Sequence, residues 1–395
     1  MTKFERLRVA WLVPTAWFYW QPPLSEYTKI FPNTKVFTGL FPGFAQGVEG
    51  TLDIEVVGDR KVINMAKSAT GYGSNFTYLS PKIVSYLLRF KPQIIFSSSF
   101  GIWTICAILL KPIGRWQVVI AYEGSSPSVD HRGSALRLLL RRATIAAADA
   151  SITNSKAGKN YLTTVLKARE DRVFHQPYEV PALQALTAKP ENEPSTTSAR
   201  NFMQQLQKPV FLFVGGIVPR KGLHILLAAC LSLQKQGYSD YTLLIIGDGP
   251  QRQELEAFSQ QHNLQTCVKW LGSVDYDIIG TYFHHSDVFV LPTLEDTWGM
   301  VVLEAMALGK PVLCSQGAGA AEMVIEGENG YLFEPNQPEK LAAAMRCFIE
   351  RPELSAAMGN KSKQIMAQHT PEIAAQFLTQ ITSFVCKQVL QDSST

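Results

Sequence analysis

Two cationic side chains, Arg220 and Lys221, stand shortly after a strand-like run that ends in the pair Gly215-Gly216. Glycine carries no Cβ, so a ligand can approach the backbone closely at such a turn. Cations beside the first amides of a following helix attract phosphate. The spacing therefore predicts a phosphate site, although a tight strand-to-helix turn with an exposed lysine explains the same residues without a ligand.

A second glycine turn, Gly247-Asp248-Gly249-Pro250, follows the next strand-like run. It contains GxG but lacks the third glycine of a dinucleotide-binding fingerprint, and its strand is not the first of its domain. Gly247 and Gly249 are therefore candidates for close approach of a ligand, with a plain turn as the alternative.

The most specific motif runs from Leu291 to Val312 and joins an acidic turn to an apolar helix. Glu304 lies among apolar residues of this helix, where a carboxylate needs a partner such as a sugar hydroxyl. The start of the helix offers backbone amides to an anionic ligand. The candidate binding residues of this motif are Glu295, Asp296, Trp298, Gly299, Met300, Val301 and Glu304.

All three motifs follow short apolar runs that read as buried strands. Such runs alternate with helical patterns along the chain, which predicts parallel sheets with helices on both faces. The fold class is therefore α/β, with two doubly wound Rossmann-like domains. The expected strands are Val9–Val13, Val36–Thr38, Ile54–Val57, Ile94–Ser97, Val118–Ala121, Ala150–Thr153, Val210–Val214, Leu243–Ile246, Val268–Leu271, Val288–Leu291, Pro311–Cys314 and Gly330–Phe333.

The domain boundary is expected in residues 181–207, a stretch with prolines and a Ser-Thr-Thr-Ser run that predicts a linker or a long surface loop. We predict a first domain over 1–180, a second over 208–370, and a final helix within 371–395 that returns to the first domain. Ligands bind at the carboxyl ends of strands in open parallel sheets, so we expect the two domains to face one interdomain cleft.

The ordered motifs between Phe211 and Phe333 resemble the carboxy-terminal domain of family 4 glycosyltransferases, retaining enzymes of the GT-B architecture. They comprise a V-G-x-x-x-P-x-K-G block, an I-G-D-G-P block, the pair Leu271-Gly272, an acidic loop leading to LEAMA, and Glu322 followed by Asn329-Gly330. The first half resembles the family only in architecture.

The resemblance implies a nucleotide-diphosphate-sugar donor, a UDP- or GDP-sugar, held mainly by the second half, with no further cofactor and no metal. Glu304 matches the second acid of the family pattern E-x7-E, which is expected to bind the ribose hydroxyls. Asp296 replaces the first acid, which touches the sugar ring, and Lys221 matches the lysine on the diphosphate. Gly216 stands where the family has an arginine, and Arg220 is the candidate replacement. The other donor-binding candidates are Gly215, Gly247, Gly249 and Leu271.

The triplet Asp275-Tyr276-Asp277 spells DxD, a metal–nucleotide motif of the other large glycosyltransferase architecture. Here it follows Leu271-Gly272 and precedes a helix. This position favours capping of the helix N-terminus over metal binding.

In the first half, Glu123 follows a strand-like run and is expected to contact the acceptor or the transferred sugar, with a turn cap as the alternative. A group of aromatic residues follows the first strand, where it can stack on sugar rings or pack in the core. The acceptor-binding candidates of this half are Trp17, Tyr19, Trp20, Asp130 and Arg132.

These observations favour a retaining glycosyltransferase that moves a sugar from a nucleotide-diphosphate donor to an acceptor hydroxyl in polysaccharide, glycolipid or other glycoconjugate synthesis. Lys221 and Arg220 are expected to stabilise charge on the leaving diphosphate. The departures at Asp296 and Gly216 leave a second interpretation open, a non-catalytic protein that binds a sugar nucleotide or glycan on the same fold.

Charge is divided unevenly along the chain: residues 1–200 carry 24 Lys and Arg against 14 Asp and Glu, whereas residues 201–395 carry 13 against 19. A basic half suggests an anionic partner. The predicted helix from Ser134 to about Ala148 carries Arg137, Arg141 and Arg142 among leucines and is suited to anionic lipid. A solvated basic face over an ordinary core is the alternative.

The composition, 46% hydrophobic and 18% charged, excludes a disordered or collagen-like chain. Six cysteines without a CxxC pair favour reduced thiols over disulfides or zinc. No signal peptide is recognisable. We therefore expect a cytoplasmic protein with a glycan or lipid-linked acceptor, no nucleic-acid partner, and contact between its basic half and the inner face of the membrane.

Overall fold

The computed structural model describes residues 6–64, 75–186, 189–190 and 192–392, which divide into two compact units. Within these residues, unit 1 comprises 6–64, 75–182 and 369–392, and unit 2 comprises 183–186, 189–190 and 192–368.

Unit 1 is built on a seven-stranded sheet in which all neighbouring strands are parallel. The strands of this unit are β1 (Val9–Val13), β2 (Thr34–Thr38), β3 (Asp53–Val56), β4 (Lys61–Asn64), β5 (Asn75–Tyr78), β6 (Ile94–Ser98), β7 (Gln117–Tyr122), β8 (Ala150–Thr153) and β9 (Val173–His175). The main sheet has the order β3-β2-β1-β6-β7-β8-β9, and β4 and β5 form a separate antiparallel pair. The direction of strand addition therefore reverses beside β1, the position where such sheets bind ligands.

Helices cover the sheet of unit 1, and the last helix of the chain completes its core. These helices are α1 (Gln21–Ile30), α2 (Ile83–Phe90), α3 (Ile102–Leu109), α4 (Lys111–Gly114), α5 (Pro127–Asp130), α6 (Ala135–Ala147), α7 (Lys156–Asn160) and, from the end of the chain, Pro371–Asp392. The final helix packs along α1, where the buried hydroxyls of Tyr27 and Thr382 lie 2.7 Å apart. Its buried face, from Ala374 to Val385, shares one apolar cluster with β1.

Unit 2 contains a six-stranded parallel sheet of the order β12-β11-β10-β13-β14-β15. Its strands are β10 (Val210–Val214), β11 (Thr242–Ile246), β12 (Val268–Gly272), β13 (Val288–Leu291), β14 (Val312–Ser315) and β15 (Gly330–Phe333). Its helices are α8 (Leu183–Leu186), α9 (Pro194–Gln204), α10 (Leu223–Lys235), α11 (Arg252–Gln261), α12 (Ile279–His285), α13 (Met300–Ala307), α14 (Pro338–Glu350) and α15 (Leu354–Met366), which makes the helix Pro371–Asp392 α16. Strand addition reverses between β10 and β13.

The linker expected over residues 181–207 is wrong as a description of this segment. It contains helices α8 and α9, and Leu186, Ala199 and Met203 are buried in an apolar cluster of unit 2. Pro194 occupies the first turn of α9, where a missing amide costs no hydrogen bond. The polar residues that suggest a loop lie on a helix with one buried face.

Every strand expected from the sequence is present, with ends that differ by at most two residues. The apolar segment Gln93–Leu110 forms β6, a turn and α3. Among the helices of the described residues, none combines the length and apolar character needed to cross a bilayer. Sequence reasoning missed the β4–β5 pair and the short strand β9.

Candidate functional site

The turns that follow β10, β11 and β12 are joined through their backbones. The amide of Gly215 donates to the carbonyl of Ile246 over 3.0 Å, and that of Gly247 donates to the carbonyl of Gly272 over 2.8 Å. Gly247 has a φ of 138°, and a Cβ at this position would lie 2.0 Å from the carbonyl oxygen of Gly215. The neighbouring turn is therefore sufficient to require glycine at position 247, and donor binding by Gly247 stays a prediction.

The two other glycines of these turns differ in their surroundings. A Cβ on Gly249 would lie 2.4 Å from the carbonyl oxygen of Ile217, so this residue also accommodates backbone. Gly216 is exposed, and a Cβ there would meet nothing nearer than the carbonyl oxygen of Asp248 at 4.0 Å. Space for a side chain therefore exists at Gly216.

A short 3-10 turn, Pro219–Lys221, carries the two candidate cations. The carbonyl oxygen of Arg220 accepts hydrogen bonds from the amide of Leu294 over 2.7 Å and from the hydroxyl of Thr293 over 2.8 Å. The loop after β13 is thereby held against the turn after β10. Two motifs that are more than seventy residues apart in sequence meet at one edge of the sheet.

Asp296 forms ion pairs with both cations. Its Oδ2 lies 2.5 Å from the Nζ of Lys221 and 3.3 Å from the Nη1 of Arg220, and all three side chains are largely buried. The backbone of Asp296 is held as well, since its amide donates to Gly317 and its carbonyl accepts from Gly319. The structure therefore brings Lys221, Arg220 and Asp296 together at one edge of the sheet.

Glu304 lies on α13, one helical turn after Met300 and on the same face. It is 9% exposed, and burial raises the pKa of its carboxyl to about 7. The hydroxyl of Tyr276 donates to Glu304 Oε1 over 2.8 Å, which opposes that rise. Glu304 thus has the polar partner that its apolar setting requires, and the partner is a side chain of this protein.

Sequence reasoning missed Tyr276 as a residue of the site. It lies inside the DxD triplet, in which the two acids are the residues associated with metal binding. The capping predicted for Asp275 is wrong, because its side chain makes no capping hydrogen bond, and Asp277 instead lies 3.5 Å from the Nζ of Lys189. An aromatic hydroxyl between two acids was the available signal.

The remaining candidates of unit 2 surround the start of α13 and the end of β12. Trp298 is 3% exposed and packs in an apolar cluster, so its ring serves the core. Gly299 precedes α13 with a φ of 100°, and Met300 and Val301 begin the helix and are partly exposed. Leu271 is partly buried near the end of β12, and Glu295 is buried with its carbonyl bonded to Thr293.

In unit 1, Glu123 follows β7 and accepts a hydrogen bond from Ser98 over 3.2 Å. Burial raises the pKa of Glu123 to about 7, and hydrogen bonds from Ser98 and Trp20 oppose the rise. A second carboxylate, Glu179, lies close enough that the charge of Glu123 helps to raise its pKa. Glu179 was not singled out in the sequence, since no motif surrounds it.

Asp130 cannot serve an acceptor as predicted, because its carboxylate is already occupied. It is fully buried and accepts hydrogen bonds from Tyr122, Ser125 and Arg132. Arg132 holds this carboxylate with its guanidinium and lies 5.7 Å from the ring centre of Tyr161. Both residues stabilise the loop after β7.

The aromatic candidates differ in exposure, since one lies in the core and two lie at the surface. Trp20 is 2% exposed and lies 5.2 Å, between ring centres, from both Trp11 and Tyr178, so it packs in the core. Trp17 is 43% exposed, and Tyr19 is partly exposed. Only Trp17 and Tyr19 therefore have surface for a ligand.

Across the residues that the structure describes, no three His, Cys, Asp or Glu side chains converge as a metal site requires.

Comparison with known proteins places these residues in a family context. Residues 196–365 match the family model described as glycosyl transferases group 1. An uncharacterized glycosyltransferase of Methanocaldococcus jannaschii is 33% identical over 153 residues, which are 39% of this chain and 42% of that protein. The sulfoquinovosyl transferase SQD2 of Arabidopsis thaliana is 27% identical over 302 residues, or 72% of this chain and 55% of that protein. The chain thus spans about half the length of the curated relatives that it matches.

Solved structures match over nearly the whole chain. HepE of Anabaena in complex with UDP-glucose has a TM-score of 0.68 at 19% identity, with 97% of this chain and all of that chain covered. A glycosyltransferase of Rickettsia africae has a TM-score of 0.70 at 14% identity, with 97% and 99% covered. The chain therefore has the GT-B fold of two Rossmann-like domains, and residues 196–365 of unit 2 carry the sequence pattern of glycosyl transferases group 1.

Proposed function

We propose that this chain is a glycosyltransferase that moves a sugar from a nucleotide-diphosphate sugar to an acceptor hydroxyl, with retention of configuration. The observation that carries the proposal is the cluster of Lys221, Arg220 and Asp296 at the carboxyl edge of the unit 2 sheet. This cluster lies inside the segment that matches the family model. Two buried cations at such an edge suit a diphosphate.

In the reaction, the bond between the anomeric carbon of the donor sugar and the diphosphate oxygen breaks, and a bond from that carbon to the acceptor oxygen forms. The acceptor proton passes to the leaving phosphate. Lys221 and Arg220 stabilise the negative charge that grows on the diphosphate, where partial burial strengthens their effect. Asp296 contacts the transferred sugar once the diphosphate takes over its cations.

Glu304 binds the ribose hydroxyls of the donor, and the first amides of α13, at Met300 and Val301, complement its phosphates. A UDP-sugar is the first donor to test, because HepE of Anabaena was solved with UDP and with UDP-glucose. The acceptor is a glycan or a lipid-linked glycan. A thermal-shift screen of UDP-, GDP- and ADP-sugars identifies the base, since ligand at 100 times its Kd adds about 2.7 kcal/mol of stability.

Purified variants test the assignment. Lys221→Ala and Glu304→Gln should each lower sugar transfer about a hundredfold, as removal of a charge-stabilising group does in other enzymes. Lys235→Ala is the matched control, since Lys235 lies exposed in the last turn of α10. Unchanged transfer in both site variants would contradict the proposal. Donor binding without transfer to any glycan acceptor would favour a binding protein instead.

We further propose that unit 1 contacts an anionic membrane surface at the cytoplasmic face. Helices α3 and α6 lie against each other. Large apolar side chains are exposed on α6 and on the segment that contains α3 and α4: Leu136, Leu139, Leu140, Ile105, Leu109 and Ile113. Apolar side chains can enter the boundary between headgroups and acyl chains while basic residues bind the headgroups.

The arginines of α6 require a correction to the expected basic face. Arg141 donates to the carbonyl oxygens of Val129 and Asp130, and Arg142 donates to that of Val165. These side chains therefore support the fold of unit 1 itself. The exposed leucines, more than the arginines, carry the membrane proposal.

Vesicle flotation distinguishes the two contributions to binding. Leu136→Ser with Leu139→Ser should abolish binding to vesicles of phosphatidylglycerol and phosphatidylcholine, while thermal stability stays unchanged because both side chains are exposed. High salt should weaken the binding of the natural protein. No binding to these vesicles at low salt would refute the proposal.

A further inference from the structure

Unit 1 has its own cluster of polar residues, separate from the cations of unit 2. Strands β1, β6, β7, β8 and β9 include four adjacent pairs in the sheet and end at one edge. Residues at or just after their ends bring side chains to that edge: Trp20, Ser98, Glu123, Asn154, Tyr178 and Glu179. We call these six residues the acidic edge of unit 1.

Two carboxylates of the acidic edge share one desolvated environment. Glu179 is 3% exposed and accepts a hydrogen bond from the Nδ2 of Asn154 over 2.8 Å. Glu123 accepts from Ser98 and stays partly exposed. In the part of the chain that the structure describes, neither carboxylate has a Lys, Arg or His as an ion-pair partner, burial disfavours the charged form of both, and the charge of Glu123 adds to the cost of charging Glu179. Such an arrangement is unfavourable without a compensating charge.

Two further polar atoms at this edge lack a hydrogen-bond partner among the residues that the structure describes. They are the Oδ1 of Asn154 and the hydroxyl of Tyr178, and both residues are completely buried. Asn154 binds Glu179 through the same amide group, and the charges of both glutamates act on the Tyr178 hydroxyl. A buried polar atom without a partner costs about 1–3 kcal/mol, so these atoms indicate a missing hydrogen-bonding group.

The polar atoms that a ligand could contact at the acidic edge are almost all hydrogen-bond acceptors. Two carboxylates and one amide oxygen require donors, and a phenol oxygen can also accept. Aromatic rings adjoin them: the rings of Tyr178 and Trp20 lie 5.2 Å apart between centres in a tilted arrangement, and the charges of both glutamates act on Tyr19. Negative charge beside aromatic rings is the arrangement that recognises ammonium groups.

We propose that the acidic edge of unit 1 binds a protonated amino group carried by the sugar acceptor. This inference rests on the proposed glycosyltransferase function, which it narrows to acceptors that bear an amine. The ammonium supplies N–H donors to Glu179, Glu123 and Asn154, and its charge compensates the two carboxylates. Glu123 and Tyr19 are partly exposed and accessible from solvent, whereas Glu179, Asn154 and Tyr178 are buried.

Binding of simple sugars to the full chain tests the proposal. Glucosamine is the probe. Glucose and N-acetylglucosamine, which share its ring but carry no charge, are the control sugars. In calorimetric titrations at neutral pH and low salt, glucosamine should bind at least about tenfold more tightly than either control sugar, which corresponds to about 1.4 kcal/mol. Equal affinity for glucosamine and glucose would overturn the proposal.

Variants then locate the binding. Glu179→Gln and Glu123→Gln should each reduce the preference for glucosamine about fivefold or more, because each removes a charge-assisted contact. Glu170→Gln is the control, since Glu170 is an exposed carboxylate of the same unit and should leave the preference unchanged. A preference that persists in both site variants would place the amine elsewhere and refute the proposal.

The proposed function and this inference fail in different ways. UDP binding, measured on the same samples, reports on unit 2 and on correct folding. If the natural protein binds none of UDP, GDP and ADP, the donor site is contradicted, whereas nucleotide binding without amine preference contradicts only the acidic edge. If Glu179→Gln does not fold, Glu123→Gln decides the question alone, because its partly exposed side chain tolerates the change.

Discussion

The Nζ of Lys221 lies 2.5 Å from the Oδ2 of Asp296. The Asp296 carboxylate is therefore paired with the cation that a bound diphosphate would contact. Donor binding must therefore replace one ion pair with another, and the net gain is smaller than the contact alone suggests.

Replacement of Asp296 by Asn should strengthen the binding of UDP about fivefold, because it removes a competing charge from a partly buried lysine. Sugar transfer by the same variant should fall, because Asp296 is proposed to contact the sugar. Calorimetric titration with UDP measures the first effect and product formation the second. Glu328→Gln, which removes the exposed partner of Lys361, is the control and should change neither. Weaker UDP binding by Asp296→Asn would contradict the competition.

The open space at Gly216 predicts that an arginine is accepted there. Gly216→Arg should leave the thermal midpoint nearly unchanged, since the nearest atom to the new Cβ is 4.0 Å away, and should raise donor affinity about tenfold by adding a phosphate-binding cation. Gly247→Ala is the contrasting variant. Its Cβ would meet a backbone oxygen at 2.0 Å, so a loss of about 2 kcal/mol or more in unfolding free energy is expected. Equal stability of the two variants would show that this interpretation of the turns is wrong.

Tyr276 should act as a positioning residue for Glu304. Its hydroxyl opposes the rise in the pKa of Glu304, which lies at about 7. Tyr276→Phe removes that donor, so the pKa of Glu304 rises further and fewer molecules carry the carboxylate at neutral pH. UDP binding should weaken about fivefold near pH 7, and the loss should shrink at pH 9, where the carboxylate is ionised in both proteins.

The chain offers a matched control for this variant. Tyr238 donates to Glu350 on the surface of the same unit, and Tyr238→Phe should leave UDP binding unchanged at both pH values. A loss in Tyr276→Phe that is the same at pH 7 and pH 9 would indicate a packing role for the ring instead.

The buried pair of unit 1 predicts a pH-dependent stability. Burial and the charge of Glu123 hold the pKa of Glu179 well above its value in an unfolded chain. Such a group favours folding below its unfolded pKa, and this contribution is lost as pH rises through the folded pKa. Glu179→Gln cannot ionise, so its unfolding free energy relative to the natural protein should increase from about pH 5 to about pH 8. Denaturant titrations at the two pH values measure it, and a pH-independent difference would count against a shifted carboxyl.

The strands were predictable because their cause is local. Runs such as Phe211–Val214 are apolar at successive positions, which only a strand buried on both faces explains. The β4–β5 pair was not predicted because Lys61 and Val62 are exposed and no apolar pattern marks them. Helix α9 was not predicted because one buried face among serines and threonines is a weak helical pattern.

Lys221 and Asp296 were both singled out from the sequence, and the structure pairs their side chains. The prediction for Asp130 was wrong because the sequence does not show that three neighbouring side chains already donate hydrogen bonds to its carboxylate. Tyr276 and Glu179 were missed because their importance comes from a partner far along the chain, Glu304 and Asn154 respectively. Only the folded arrangement reveals such pairs.

The return of helix α16 to unit 1 has a consequence for biosynthesis. Among the described residues, unit 2 lies between residues 183 and 368, whereas unit 1 is formed by residues before and after that segment. On the ribosome, unit 2 can therefore finish folding while unit 1 still exposes the apolar surface that Phe377, Leu378 and Ile381 will cover. Unit 1 is therefore begun before unit 2 and completed after it, so its apolar surface is the one most exposed to chaperones during synthesis.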